Sequence, residues 1–149
     1  MKKLISFLFV LAVSFSWTAC ETKYDANGDL DGMWHLRTVE DLTENGEVTQ
    51  VKEQCVYYSV QQHLITVKRL YGNDSPEIYM PHIGRFIHTG DSLILHNFRI
   101  FQNEGIMGTA RSLAPFYLDG TTSRYAVRKL DADEMILRSA HRELTFKKF

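Results

Sequence analysis

Cys20, Cys55 and the six histidines His35, His63, His82, His88, His96 and His141 are the side chains of this sequence that could hold a metal or attack a substrate. A zinc pair on a helix needs ligands at i and i+4, and no two of these histidines have that spacing, nor does any stand beside a second cysteine or a carboxylate trio. His88 and His96 fall on the two arms of one hairpin, but a turn at Thr89-Gly90 sets His88 opposite Asp91 and leaves the pair offset along the ladder. No Gly-x-Ser-x-Gly elbow, Ser-x-x-Lys, phosphate loop or glycine-rich dinucleotide turn occurs, and Cys55 has no flanking motif of a catalytic thiol. The residues therefore predict a protein that is not an enzyme, with no catalytic residue, no metal and no cofactor.

Aromatic side chains are the richer set, with nine Phe and seven Tyr. Tyr57, Phe86, Phe98, Phe116, Tyr117 and Tyr125 lie inside or beside apolar runs and are candidate ligand-binding residues, because small-molecule sites are built from apolar and aromatic walls with a few polar groups. The same residues would equally fill a β core, and runs apolar on both faces, such as Leu93-Ile94-Leu95, do not say which side points inward. Charge excludes one class of partner. Without Lys2 and Lys3 the chain has 15 basic and 18 acidic residues, a formal net charge of −3, and its basic C-terminal stretch is interleaved with Asp131, Asp133, Glu134 and Glu143. No nucleic-acid footprint is present.

The start of the chain explains Cys20. Met1-Lys2-Lys3 is followed by an uncharged run from Leu4 to Phe15, an n-region and h-region too short to cross a ~30 Å hydrocarbon core. Trp17-Thr18-Ala19-Cys20 then resembles the lipobox of bacterial lipoproteins, although Trp17 stands where Leu, Val or Ile is usual. That resemblance implies a signal peptide over residues 1–19, lipidation of Cys20, and a protein anchored by that lipid in the cell envelope, at the outer membrane in its periplasmic or surface leaflet. The other reading is ordinary cleavage, with Cys20 free to bridge Cys55 in an oxidising compartment. If Cys20 is acylated, Cys55 is expected to be a small buried side chain within a strand Gln54-Cys55-Val56-Tyr57-Tyr58. Residues 20–30, polar and carrying Asn27-Gly28, read as a lipidated tether, and 31–149 as one domain.

The elements that must position these residues are short β runs. Strands are predicted at 33–42, 51–60, 63–71, 84–88, 91–100, 123–130, 135–140 and 143–148, with turns at Asn45-Gly46, Thr89-Gly90 and Asp131 to Glu134. Eight short strands joined mostly by hairpins point to a sandwich or an up-and-down barrel. Phe101 to Thr122 breaks the rhythm as a long loop in which Ala110 to Ala114 could form a short helix, and connections of that length are often lids or binding loops.

Gly32-Met33-Trp34 opens the first strand, and a Gly-x-Trp at the head of an eight-stranded meander is similar to the lipocalin signature. From Leu30 to Phe149 the chain resembles the lipocalin-like lipoproteins of Bacteroidota. The resemblance implies an all-β fold, an eight-stranded antiparallel up-and-down barrel, with Gly32 and Trp34 closing one end and an arginine near the last strand, Arg138 or Arg142, packed across the tryptophan. It also implies a small apolar or amphipathic ligand inside the barrel, with Phe101 to Thr122 as a mobile flap. The alternative is an envelope module with a solid barrel that docks another protein.

Overall fold

Ile65 and Val67 are buried while their neighbours on the same strand are not, the period-two pattern of a strand with one face in a core. The pattern recurs throughout the computed structural model of the protein, which describes residues 26–43, 46–70 and 80–149. In chain order the strands are β1 (Gly32–Asp41), β2 (Val48–Gln50), β3 (Val56–Gln61), β4 (Leu64–Arg69) and β5 (His82–His88). They continue as β6 (Ser92–Ile100), β7 (Asn103–Met107), β8 (Thr122–Leu130), β9 (Glu134–Arg138) and β10 (Arg142–Lys148), with one short helix, α1 (Ala110–Leu113), between β7 and β8.

Eight of these strands, β1-β3-β4-β5-β6-β8-β9-β10, pair antiparallel in sequence and close on themselves through β10 and β1. The expected eight-stranded barrel is the fold. β2 and β7 are extra, pairing only with β1 and β6 respectively. Closure is built from an extended ladder, Trp34 opposite Lys148 through to Asp41 opposite Arg142, interrupted by a bulge at Arg37. This register puts Trp34 and Lys148 at one end of the barrel and Asp41 and Arg142 at the other.

Several local expectations change. The run 51–60 is not one strand: Lys52–Gln54 is a turn of 3₁₀ helix, Cys55 ends it at φ +53°, and the strand starts at Val56. Cys55 is consequently half-buried outside the ladder, not a core residue within it. His88 pairs with Leu93, not Asp91, because the hairpin loop includes Asp91 and Ser92 closes it through the Thr89 amide. Residues 27–30 are part of the domain. Gly28–Leu30 forms a 3₁₀ turn, Asn27 donates to the Asp31 carboxylate, and Leu30 is buried in the core. The leader, Cys20 and Asn45 lie outside the described residues.

Inside, the barrel is filled by side chains of its eight closed strands, among them Trp34, Leu36, Tyr58, Ile65, Leu95, Phe98, Leu137, Leu144 and Phe146, these nine essentially without solvent exposure. Packing is close enough at one point to demand glycine. A Cβ on Gly84 would come within 2.6 Å of the Phe98 ring, which occupies the space that any side chain there would need.

Candidate functional site

At the tryptophan end, Trp34 is wholly buried and its indole N–H donates to the Leu30 carbonyl at 2.9 Å, tying the entering 3₁₀ turn across the barrel floor. The cation over its ring is Lys148, with Nζ 4.8 Å from the ring centroid, and the same ammonium donates to the Asp29 carbonyl at 2.9 Å. Neither expected arginine is there. Arg138 is on the outer face, paired with Glu143 at 3.1 Å, and Arg142 is at the opposite end of the β10 ladder. Gly32 makes the lysine's approach feasible, since a Cβ at that position would meet Lys148 Cε at 2.8 Å, and its φ of +121° suits glycine alone.

The other end is plugged. Thr109 caps α1 in a reciprocal box with Ser112, and the following turn Ala114–Phe116 drives Leu113, Phe116 and Leu118 into the core. Tyr58 donates to the Phe116 carbonyl at 2.7 Å, fastening the segment from below. His82, also buried, meets the Phe116 ring edge-on at 5.6 Å. So the expected short helix is present, but residues 109–118 are docked as a stopper with their apolar side chains in the core and do not lie across a mouth as a flap.

The six aromatic candidates do not line a shared cavity. Phe98, Phe116 and Tyr125 are buried core residues, and Phe86 packs partly buried against them. Tyr117, at φ +64°, packs at the edge of the core and donates its hydroxyl to Gln54 Oε1 at 2.8 Å. Tyr57 faces outward, stacked on His35 at 4.4 Å between centroids with Phe149 edge-on at 5.8 Å. Sequence reasoning missed that outer-wall stack because its burial imitates core burial.

One polar group of residues enters the interior near the plug. Arg142 Nε pairs with Asp119 Oδ1 at 3.0 Å, the Asp119 amide donates to Ser123 Oγ, and the Tyr58 and Tyr125 hydroxyls lie in the same region. Burial first, and then the Tyr125 phenol for Tyr58 and the Asp119 carboxylate for Tyr125, pushes both tyrosines above the usual phenolic range, so each is a neutral phenol. The Tyr125 hydroxyl is buried beside the Tyr58 and Ser123 hydroxyls. Clefts occur on the outer wall instead. One, about 430 Å³, is bounded by Leu64, Ile83, Arg85, Asn97, Arg99 and Phe101, and another, about 310 Å³, by residues of the Ser92 and Ser139 hairpin ends. Among the described residues no three His, Cys, Asp or Glu side chains converge.

Two histidines give the fold a pH dependence. His82 Nδ1 donates to the Met80 carbonyl at 2.8 Å and His35 Nε2 to the Lys52 carbonyl at 3.0 Å, and burial lowers the pKa of both below 6.5. The unfolded chain then binds protons that the folded one refuses, so stability is full above about pH 6.5 and declines as the pH falls below it. Urea midpoints measured at pH 7.5 and 5.5 are expected to drop at the lower pH, and the drop should shrink in His82→Gln. An equal drop in that variant would remove His82 as a cause.

No curated protein matches the chain. A lipocalin-like protein from Bacteroides uniformis superposes with a TM-score of 0.61 at 17% identity, covering 82% of this chain and 100% of its own. An uncharacterized protein from Bacteroides eggerthii gives 0.59 at 18% identity, covering 80% and 98%. At such identities the likeness is one of fold. The sequence itself matches the lipocalin-like domain family over residues 13–149, and the chain belongs to that family.

Proposed function

We propose that this protein is a lipid-anchored, non-enzymatic module of the cell envelope, held at the outer membrane through Cys20, which acts through the outside of a solid barrel by docking another envelope protein. The observation that carries this reading is the filled interior: side chains from all eight barrel strands meet in one core, and Leu113, Phe116 and Leu118 stopper the end opposite Trp34. A lipocalin-like barrel is compatible with ligand binding, but a ligand here would have to displace packed side chains. The protein partner fits best on the β6–β7 hairpin, where Phe101, Ile106 and Met107 are each about half exposed on neighbouring positions. Apolar side chains gathered in that way mark interaction surfaces more often than singly scattered ones do.

A second reading has its own support. The buried Tyr58 and Tyr125 hydroxyls and the adjacent Arg142–Asp119 pair could receive the polar end of a small amphipathic ligand if residues 109–118 swung outward. Titration of the protein with N-phenyl-1-naphthylamine separates the two. The solid-barrel reading expects no saturable uptake, whereas one-to-one uptake that quenches Trp34 would replace it with the second.

A further inference from the structure

Strands β4, β5, β6 and β8 contain no aspartate or glutamate, although acidic residues outnumber basic ones once the leader is set aside. Their outward positions carry Lys68, Arg85, Arg99 and Arg124, and between these cations Leu64 and Ile87 are 42% and 50% exposed. Pairing makes this one continuous surface. Leu64 stands opposite Arg85, Ile87 opposite Ile94, and Ile94 opposite Arg124. Of the carboxylates on the other strands, Glu40, Asp41, Glu134 and Glu143 belong to β1, β9 and β10, and Glu104 to β7, which pairs with the end of β6.

We infer that this basic, partly apolar wall rests on the anionic, phosphate-bearing surface of the membrane that anchors the chain. Two observations select a lipid surface over other anionic partners. First, the described chain begins beside the wall: Asn27 Nδ2 donates to the Gln62 carbonyl at 2.7 Å, in the turn that leads directly into Leu64. Second, the seven steps from Cys20 to Asn27 span at most about 25 Å even fully extended. A lipid on Cys20 therefore holds this corner of the barrel within contact of the bilayer. Arg85, with Lys68 and Arg124 on the same wall, supplies the sign for a phosphate headgroup, and the exposed Leu64 and Ile87 suit the headgroup boundary. A lipid anchor joined to a basic patch is a pairing of signals that gives stable attachment.

The inference rests on the anchoring proposed above, so its test omits the lipid. Residues 21–149 hold the entire closed barrel, and this chain is sedimented with vesicles of phosphatidylcholine alone or with about 30% phosphatidylglycerol, an anionic content that attracts basic residues at the surface. The expected result is binding at least tenfold tighter with phosphatidylglycerol, lost as salt rises from about 0.05 to about 0.5 M. Arg85→Glu with Arg124→Glu should weaken it at least tenfold, since each cation near an anionic surface contributes roughly a fivefold factor. Lys147→Glu, on β10 across the barrel, should leave it unchanged. No binding, equal binding to both vesicle types, or equal loss with Lys147→Glu overturns the inference, as does capture by an acidic peptide without vesicle binding. Anchoring is read separately, by whether full-length protein leaves the membrane fraction on Cys20→Ser, and solidity of the barrel by the naphthylamine titration.

Discussion

Trp34→Ala is expected to destabilise the protein by about 3–5 kcal/mol, the usual range for deleting a buried aromatic from a core. The indole is wholly buried, donates to the Leu30 carbonyl and carries Lys148 on its face, so truncation leaves a cavity, an unpaired carbonyl and a displaced lysine together. A domain of this size has only about 5–15 kcal/mol of stability, so the loss should lower the melting temperature by more than 10 °C. Far-UV circular dichroism during urea unfolding is the measurement, because the substitution removes the tryptophan signal of the described residues; the other tryptophan, Trp17, precedes them. Lys148→Met should cost far less, near the 0.5–1 kcal/mol of an exposed cation–π contact. Comparable losses from the two would mean that the lysine, not the indole, holds the barrel floor.

Phe116→Ala is the second large effect, again about 3–5 kcal/mol, and it has a qualitative signature as well. Phe116 is the deepest aromatic of the stopper, and its backbone carbonyl holds the Tyr58 hydroxyl. Removing the ring empties an apolar space beneath a segment still fixed by that hydrogen bond. Apolar cavities of about 150 Å³ made in this way stay dry and bind benzene-sized molecules. The variant should therefore be less stable by Trp34 fluorescence in urea and regain part of the loss when benzene is added, while the parent protein shows no such rescue. Rescue of the parent itself would show that the interior already has room.

Strand composition made the barrel legible. Runs such as Leu64–Arg69 and the hairpin of β5 and β6 alternate clearly enough to be found without coordinates, and the polar turn after Leu130 marks β8 and β9. β2 was not legible because Val48–Gln50 is exposed on every residue, so no buried face imprints a period on it. β7 was hidden for another reason: Asn103-Glu104-Gly105 is turn composition, and only pairing with β6 makes it a strand.

The candidate site was less legible than the fold. Which face of a strand points inward follows from where the strand starts, and the left-handed Cys55 sets that start at Val56, sending Val56, Tyr58 and Val60 in and Tyr57 out. Burial on both faces concealed this in the sequence, since His35 and Phe149 cover Tyr57 from outside. The cation on Trp34 was hidden too. It depends on the register between the first and last strands, which no local pattern specifies and which puts Arg142 opposite Asp41 and Lys148 opposite Trp34. The one-signed wall on β4, β5, β6 and β8 needed the strand order as well, because its cations are scattered along the chain between apolar residues.

The β1–β10 ladder also sets when the molecule can take shape. Trp34 and Lys148 are neighbours in space but lie at the two extremes of the domain sequence, so the pairing that seals the barrel has the longest loop to close. Until Arg142–Lys148 is available, β1 is paired on one edge only, by β3 and β2, and its core residues Trp34, Leu36 and Val39 remain without their closing strand. A chain emerging from its N-terminus therefore cannot complete this fold midway, and the many non-local pairings place its folding in the slow, millisecond-to-second regime of β-rich topologies. Such delay keeps a chain open and threadable until its last strand has been delivered.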